Sequence, residues 1–180
     1  DAVPIASLTK LITAMVVLDT APDLDRRIVI DEQDAQATAA SASALPVGTA
    51  TTLDTLLKLA LMSSDNRAAH ALARSYPGGE TAFRAALQRK TAALHLQHTT
   101  LEEPTGLSGT NRASAVDIGK IMAAASAYPQ IARDTTALAE TVATAGASLH
   151  YRNTNPLVGA QGWDIRLSKT GASTCLLYTS

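Results

Sequence analysis

Residues 53–62, Leu-Asp-Thr-Leu-Leu-Lys-Leu-Ala-Leu-Met, are apolar nearly all the way round a helix. A helix with one apolar stripe can lie on a surface. This one needs cover on most of its sides, so the chain must wrap other elements around it. The material is there: 180 residues, 46% of them hydrophobic, make about one domain with a sizeable core. That composition excludes a disordered chain. No apolar run reaches membrane-spanning length, so no transmembrane segment is expected. A net charge of -1 and the lack of a basic block argue against nucleic acid as a partner. The single cysteine, Cys175, excludes an internal disulfide and a cysteine-rich metal site.

Leu8, Leu11, Ile12, Met15 and Leu18 have the spacing of a buried helix face, which predicts a helix from about Ser7 to Asp19. Arg27-Ile28-Val29-Ile30 reads as a short strand. Residues 33–51 are small and polar, with Pro46 and Gly48, and read mostly as loop. The apolar helix stops at Ser63-Ser64-Asp65-Asn66, and a new helical pattern begins at Arg67. Pro77-Gly78-Gly79 breaks it, and a third helix follows with Phe83, Leu87 and Leu94 inward. Glu102–Gly106 is a turn, and Ser114-Ala115-Val116-Asp117 a capping box before Ile118, Ile121 and Met122. Short branched runs between 137 and 151 suggest strands. Trp163 to Lys169 alternates strictly, a strand pattern with Trp163, Ile165, Leu167 and Lys169 on one face. Helices in the middle with an early helix and late strands suggest two lobes sharing a cleft. The expected division is a helical lobe over about 31–135 and a sheet lobe over about 1–30 and 136–174.

Three short motifs carry chemistry. Ser7 and Lys10 are three apart, on one side of a helix start. A serine hydroxyl becomes a nucleophile when a base takes its proton, and a lysine with a lowered pKa can be that base. Ser64-Asp65-Asn66 ends a buried helix, where a hydroxyl can pass a proton and an amide can bind a substrate amide or hold Lys10. Lys169-Thr170-Gly171 would bring a positive charge, a hydroxyl for a carboxylate, and a residue that permits close backbone approach. Each motif alone is also an ordinary cap or turn. Together and in this order, Ser-x-x-Lys, Ser-Asp-Asn and Lys-Thr-Gly are the set found in class A β-lactamases and penicillin-binding proteins.

The likeness extends beyond the motifs, through Ala2–Ser7, Thr13–Asp19, Leu59–Ser64, Asn66–Ala69, Tyr76–Gly79, Glu103–Ser108, Arg152–Asn155 and Lys169–Gly171. On these residues the chain resembles the low-molecular-mass penicillin-binding D-alanyl-D-alanine peptidases, and within them the endopeptidases of the penicillin-binding protein 7 type. The resemblance implies an α/β (α+β) fold of the β-lactamase/transpeptidase type, an antiparallel sheet packed with helices beside an all-helical lobe. It implies Ser7 as nucleophile, Lys10 as its base and Ser64 in the catalytic group. Asn66, Lys169, Thr170 and Gly171 would bind substrate, and the backbone N–H groups of Ser7 and Ala172 would hold the oxyanion. No metal or other cofactor is implied. Peptidoglycan stem peptides are the implied substrate, β-lactams the covalent inhibitors, and the periplasm the implied site.

Two departures qualify the likeness. Ala172 stands where the group has an aromatic residue, and Cys175–Ser180 stops matching and reads as a non-native tail. Relatives of this kind would have further strands at both ends, so the chain is expected to be truncated at both. Two rival readings share the motifs. A class A-like β-lactamase would use Glu103 to hold a hydrolytic water, but Leu107 occupies the place of its partner asparagine. A penicillin-sensing domain would be acylated without turnover. His95 and His98 read as a solvated helix end, and Asp23, Asp25, Asp31 and Asp34 as surface charge. Arg67 reads as a structural partner at a helix start, and Asn153 and Asn155 as loop-ordering residues.

Overall fold

In the computed structural model, which describes residues 1–172, the apolar helix sits at the centre. This helix, α3 (Leu53–Met62), buries Leu53, Leu56, Leu57, Leu59, Ala60, Leu61 and Met62. Around it pack α1 (Thr9–Leu18), α4 (Asn66–Arg74) and α7 (Pro129–Thr135), with strands β3 (Ala50–Thr52) and β6 (Ala139–Ala143) also against it. The remaining helices among the described residues are α2 (Glu32–Ala37), α5 (Gly79–Ala93) and α6 (Ala115–Ser126). Thr52 caps α3 by accepting from Thr55 N–H at 3.1 Å. As expected, α5 turns Phe83 and Leu87 inward, while Leu94 lies just past its end and is half-buried.

The strands form three small antiparallel sheets among the described residues, so the fold is α+β. One orders β1 (Val3–Pro4), β5 (Arg112–Ala113) and β4 (Thr99–Thr100), with Val3 opposite Ala113. Another pairs β2 (Arg27–Val29) with β3. The third is a hairpin of β6 and β7 (Ser148–Arg152), in register from Ala139↔Arg152 to Ala143↔Ser148. The Lys58–Glu140 ion pair ties this hairpin to α3.

Helix α1 enters through a 3-10 turn at Ala6–Leu8 and is buried from Thr9 to Val17. Three of these buried residues are polar, and all three reach the segment that follows β4. Thr13 Oγ1 donates to Pro104 O at 2.8 Å, Lys10 Nζ to Thr105 O at 2.7 Å, and Asn111 Nδ2 to Thr9 Oγ1 at 3.2 Å. The crossing is tight. Gly106 has φ +85, and a Cβ there would lie 1.9 Å from the carbonyl oxygen of Ala6.

The structure departs from the sequence reading at four places. Residues 33–51 contain helix α2, closed by a capping box in which Asp31 accepts from Asp34 N–H and Asp34 from Asp31 N–H. Asp34 is accordingly no surface charge: it is fully buried, and its carboxylate accepts from Arg74 Nε and Nη2 and pairs with His70 Nδ1 at 2.8 Å. Ser114 caps α6, but the second half of its box is missing. The Asp117 carboxylate instead accepts from His98 N–H at 2.7 Å and Thr99 Oγ1 at 2.9 Å. Residues 163–169 form no strand, because no backbone segment among the described residues pairs with them, and Trp163 is 59% exposed. Alternation specifies two faces, and a ladder also requires a neighbour. The suspected tail, Cys175–Ser180, lies outside the described residues.

Candidate active site

Ser7 lies in the 3-10 turn and Lys10 in the first turn of α1, so their side chains share one side of the chain. Lys10 Nζ is 2.8 Å from Ser7 Oγ, 2.6 Å from Asn66 Oδ1 and 2.7 Å from Thr105 O. The lysine is 0% exposed. Burial, reinforced by the charge of Lys169, lowers its pKa to about 7, against the opposing pull of Glu103 and Asp65. Two of its three neighbours, an amide oxygen and a carbonyl, can only accept. A neutral amine satisfies both with its N–H groups and keeps its lone pair for the one neighbour able to donate, the Ser7 hydroxyl.

The second wall is the break between α3 and α4. Ser63 Oγ closes α3 onto Leu59 O at 2.7 Å, Ser64 turns the chain with φ +60, and Asp65 caps α4 by accepting from Ala68 N–H at 2.9 Å. Ser43 Oγ donates to the same Asp65 carboxylate at 2.8 Å, and Arg67 donates to Leu45 O. Arg67 thus ties the start of α4 to the loop before β3, the structural part expected of it. The polar tripeptide is held at both ends, leaving Ser64 and Asn66 directed at lysines.

The third wall is the extended segment 167–171. Lys169 Nζ donates to Ser64 Oγ at 3.0 Å and to Thr170 O at 2.9 Å, and burial lowers its pKa to about 8. Thr170 Oγ1 lies 2.6 Å from Thr154 Oγ1. A Cβ on Gly171 would stand 3.3 Å from Ile5 O and 3.5 Å from Leu8 Cγ, so this backbone runs close against the turn bearing Ser7. Ala172 follows immediately and is exposed.

One network therefore joins Ser7, Lys10 and Asn66, and a second joins Ser64, Lys169 and Thr170. Thr105 went unread in the sequence, because it contributes a backbone oxygen, which leaves no sequence signal. Glu103 also has a different job from the one the β-lactamase reading would give it. Its carboxylate accepts from Thr105 N–H at 2.7 Å, Gly106 N–H at 2.6 Å and Asn111 Nδ2 at 2.9 Å, shaping the turn that presents Thr105 O. Asn153 and Asn155 order their loop: Asn153 Nδ2 donates to Thr135 O and Ala137 O, and Asn155 Nδ2 to Ser168 Oγ at 2.9 Å. His95 and His98 are exposed and lie past the end of α5.

The family sequence model described as D-alanyl-D-alanine carboxypeptidase matches residues 1–178. The chain belongs to the D-alanyl-D-alanine carboxypeptidase family. It is 42% identical to a D-alanyl-D-alanine endopeptidase of Pseudomonas aeruginosa and 40% identical to one of Escherichia coli, matching 97% of this chain in each case. It spans 58% of the length of both relatives. Among solved structures it is similar to a Streptomyces DD-transpeptidase, with a TM-score of 0.86 and 26% identity over 97% of this chain and 72% of that one. It is also similar to a D-alanyl-D-alanine carboxypeptidase of Mycobacterium tuberculosis, with a TM-score of 0.83 and 29% identity over 97% of this chain and 66% of that one. The α+β arrangement of small sheets and central helices is thus the penicillin-binding fold of this carboxypeptidase family.

Proposed function

We propose that the chain is a serine-type D-alanyl-D-alanine peptidase that cleaves peptidoglycan cross-links through an acyl-enzyme on Ser7, as an endopeptidase more than a carboxypeptidase. The observation that carries this reading is the buried Lys10 nitrogen, 2.8 Å from Ser7 Oγ with a pKa lowered to about 7. At neutral pH a large share of Lys10 is free base, able to take the Ser7 proton as Oγ attacks the scissile carbonyl. Charge developing on the carbonyl oxygen would be met by the backbone N–H groups of Ser7 and Ala172. Ser64, hydrogen-bonded to the Lys169 ammonium, would relay the proton taken up by Lys10 to the leaving amine, giving its own proton and receiving that one, so that Lys10 returns to the free base. Asn66 would orient Lys10 and a substrate amide, and Lys169, Thr170 and Gly171 would receive the carboxylate beside the scissile bond. Water attacking the acyl carbon then frees the product and restores the Ser7 hydroxyl.

In this reading the cleft lies between a helical lobe of about 31–135 and a strand-bearing lobe of about 1–30 and 136–174. β-Lactams would acylate Ser7 and leave slowly. The endopeptidase preference and a periplasmic location rest on the likeness to the endopeptidases. Engagement of the Glu103 carboxylate by backbone amides weighs against a β-lactamase, since little of it is left to hold a hydrolytic water. The test is digestion of a cross-linked muropeptide followed by mass spectrometry, beside Ser7→Ala. Cleaved product and a penicillin adduct with the parent, and neither with Ser7→Ala, are expected. An adduct that persists in Ser7→Ala would refute the assignment, and an adduct without cleavage would leave only a sensing role.

A further inference from the structure

Thr154 follows β7 and is exposed at the surface, yet it touches two walls of the candidate site. Its backbone N–H donates to Met62 O at 3.0 Å, where α3 ends just before Ser63-Ser64. Its Oγ1 lies 2.6 Å from Thr170 Oγ1 and 3.3 Å from Met62 O. A hydroxyl has one proton to give. In the free protein either hydroxyl can donate across the 2.6 Å contact, because Met62 O has a second lone pair for the Thr154 hydroxyl. A carboxylate at Thr170 sets the direction, since it only accepts. Thr170 then gives its proton to the carboxylate, and Thr154 turns its own from Met62 O to Thr170 Oγ1.

We propose that Thr154 is a positioning residue that fixes the direction of the Thr170 hydroxyl, so that Thr170 donates to the carboxylate next to the scissile bond. The inference rests on the Ser7 acyl-enzyme reading and deepens it by assigning a source of carboxylate specificity. Two neighbours hold Thr154 in register. Asn153 is anchored to Thr135 O and Ala137 O, and Asn155 to Ser168 Oγ beside Lys169. The same residue spans from the carbonyl ahead of Ser64 to the hydroxyl after Lys169, so it also sets the spacing between these two walls.

The test measures acylation of the protein by benzylpenicillin and by its methyl ester, which lacks the charged carboxylate, using intact-protein mass. Thr154→Val keeps the branched shape and removes the donor. It should slow acylation by benzylpenicillin about tenfold, the cost of one hydrogen bond to a charged group, and leave the ester rate at the parent's value. Thr154→Ser should restore the benzylpenicillin rate, and Thr154→Ala, which cannot clash, should reproduce the selective loss. Any other pattern overturns the inference, including equal losses with both probes or no rescue by serine. A parent protein that neither probe acylates overturns the acyl-enzyme reading as well, whereas an acylated parent with an unaffected Thr154→Val overturns this inference alone.

Discussion

Lys10 Nζ and Asn66 Oδ1 lie 2.6 Å apart although 56 positions separate them in the chain. The contact lets α4 hold the amine that faces Ser7, using an oxygen that carries no net charge. A carboxylate in that place would favour the ammonium form and raise the pKa of Lys10. Asn66→Asp is therefore expected to keep the fold and to lose most acylation at pH 7. Activity should recover in part as the pH rises toward 8, where Lys169 begins to lose its charge, and a pH–rate profile with fluorescent penicillin would show the acidic limb displaced upward. An unmoved limb would mean that Asn66 does not tune Lys10.

The two lysines predict the shape of that profile in the parent protein. In the proposed mechanism, acylation needs Lys10 uncharged and Lys169 charged. The rate should rise as pH passes about 7, where Lys10 loses its proton, and fall above about 8, where Lys169 loses its own. Lys169→Arg keeps a charge that does not titrate in this range, so its alkaline limb should vanish even if the maximum rate is lower. Lys10→Ala should remain folded, as judged by circular dichroism, and form no adduct at any pH.

Gly106 should tolerate no side chain. Its φ is +85, and a Cβ would sit 1.9 Å from Ala6 O, one residue before Ser7. Gly106→Ala must move the backbone that carries Ser7. We expect a loss of at least about 1–2 kcal/mol in stability and a larger loss in acylation rate. Gly109→Ala is the control, because nothing lies within 4 Å of the position its Cβ would take. It should leave both denaturation midpoint and labelling unchanged.

The Asp34 carboxylate should govern acid stability. Burial alone would raise its pKa, but hydrogen bonds from His70 and Arg74 outweigh this and hold it at about 2 against 3.8 in free solution. Between those values the unfolded chain binds a proton that the folded one does not. This contribution, about 2 kcal/mol, is present above pH 3.8 and is lost as pH falls through about 2. Asp34→Asn should cost about 3 kcal/mol at pH 7, because the buried pair with Arg74 is broken and Arg74 keeps only its more exposed ion pair with Asp31, and should flatten the acid dependence. Urea denaturation at several pH values would measure both effects.

These cases show which features were legible in the sequence. Helices α1, α3 and α4 carried their own evidence in apolar spacing and polar breaks, so Ser7, Lys10, Ser64 and Asn66 could be placed on elements before any coordinates. Asp34 could not be read, because its partners His70 and Arg74 stand 36 and 40 positions away in another helix. A small polar stretch concealed α2 for a related reason: its stability comes from the cap and from α4, not from an apolar stripe of its own. Trp163–Lys169 misled in the opposite direction. Its alternation was real, and Ile165, Leu167 and Lys169 are half-buried, but pairing depends on backbone atoms that side-chain pattern does not report. The Thr105 carbonyl, 95 positions from Lys10, was silent on the same ground.

The strap from Pro104 to Asn111 across α1 has a consequence for the life of the chain before it folds. A nascent polypeptide carries Lys10 in water as an ordinary ammonium of pKa 10.5, beside a serine no more reactive than any other. Only when sequence a hundred residues downstream closes over the helix does the amine lose its hydration and become a base. The base proposed for Ser7 is thus made by a long-range closure, and a chain without that closure carries only an ordinary lysine beside an ordinary serine.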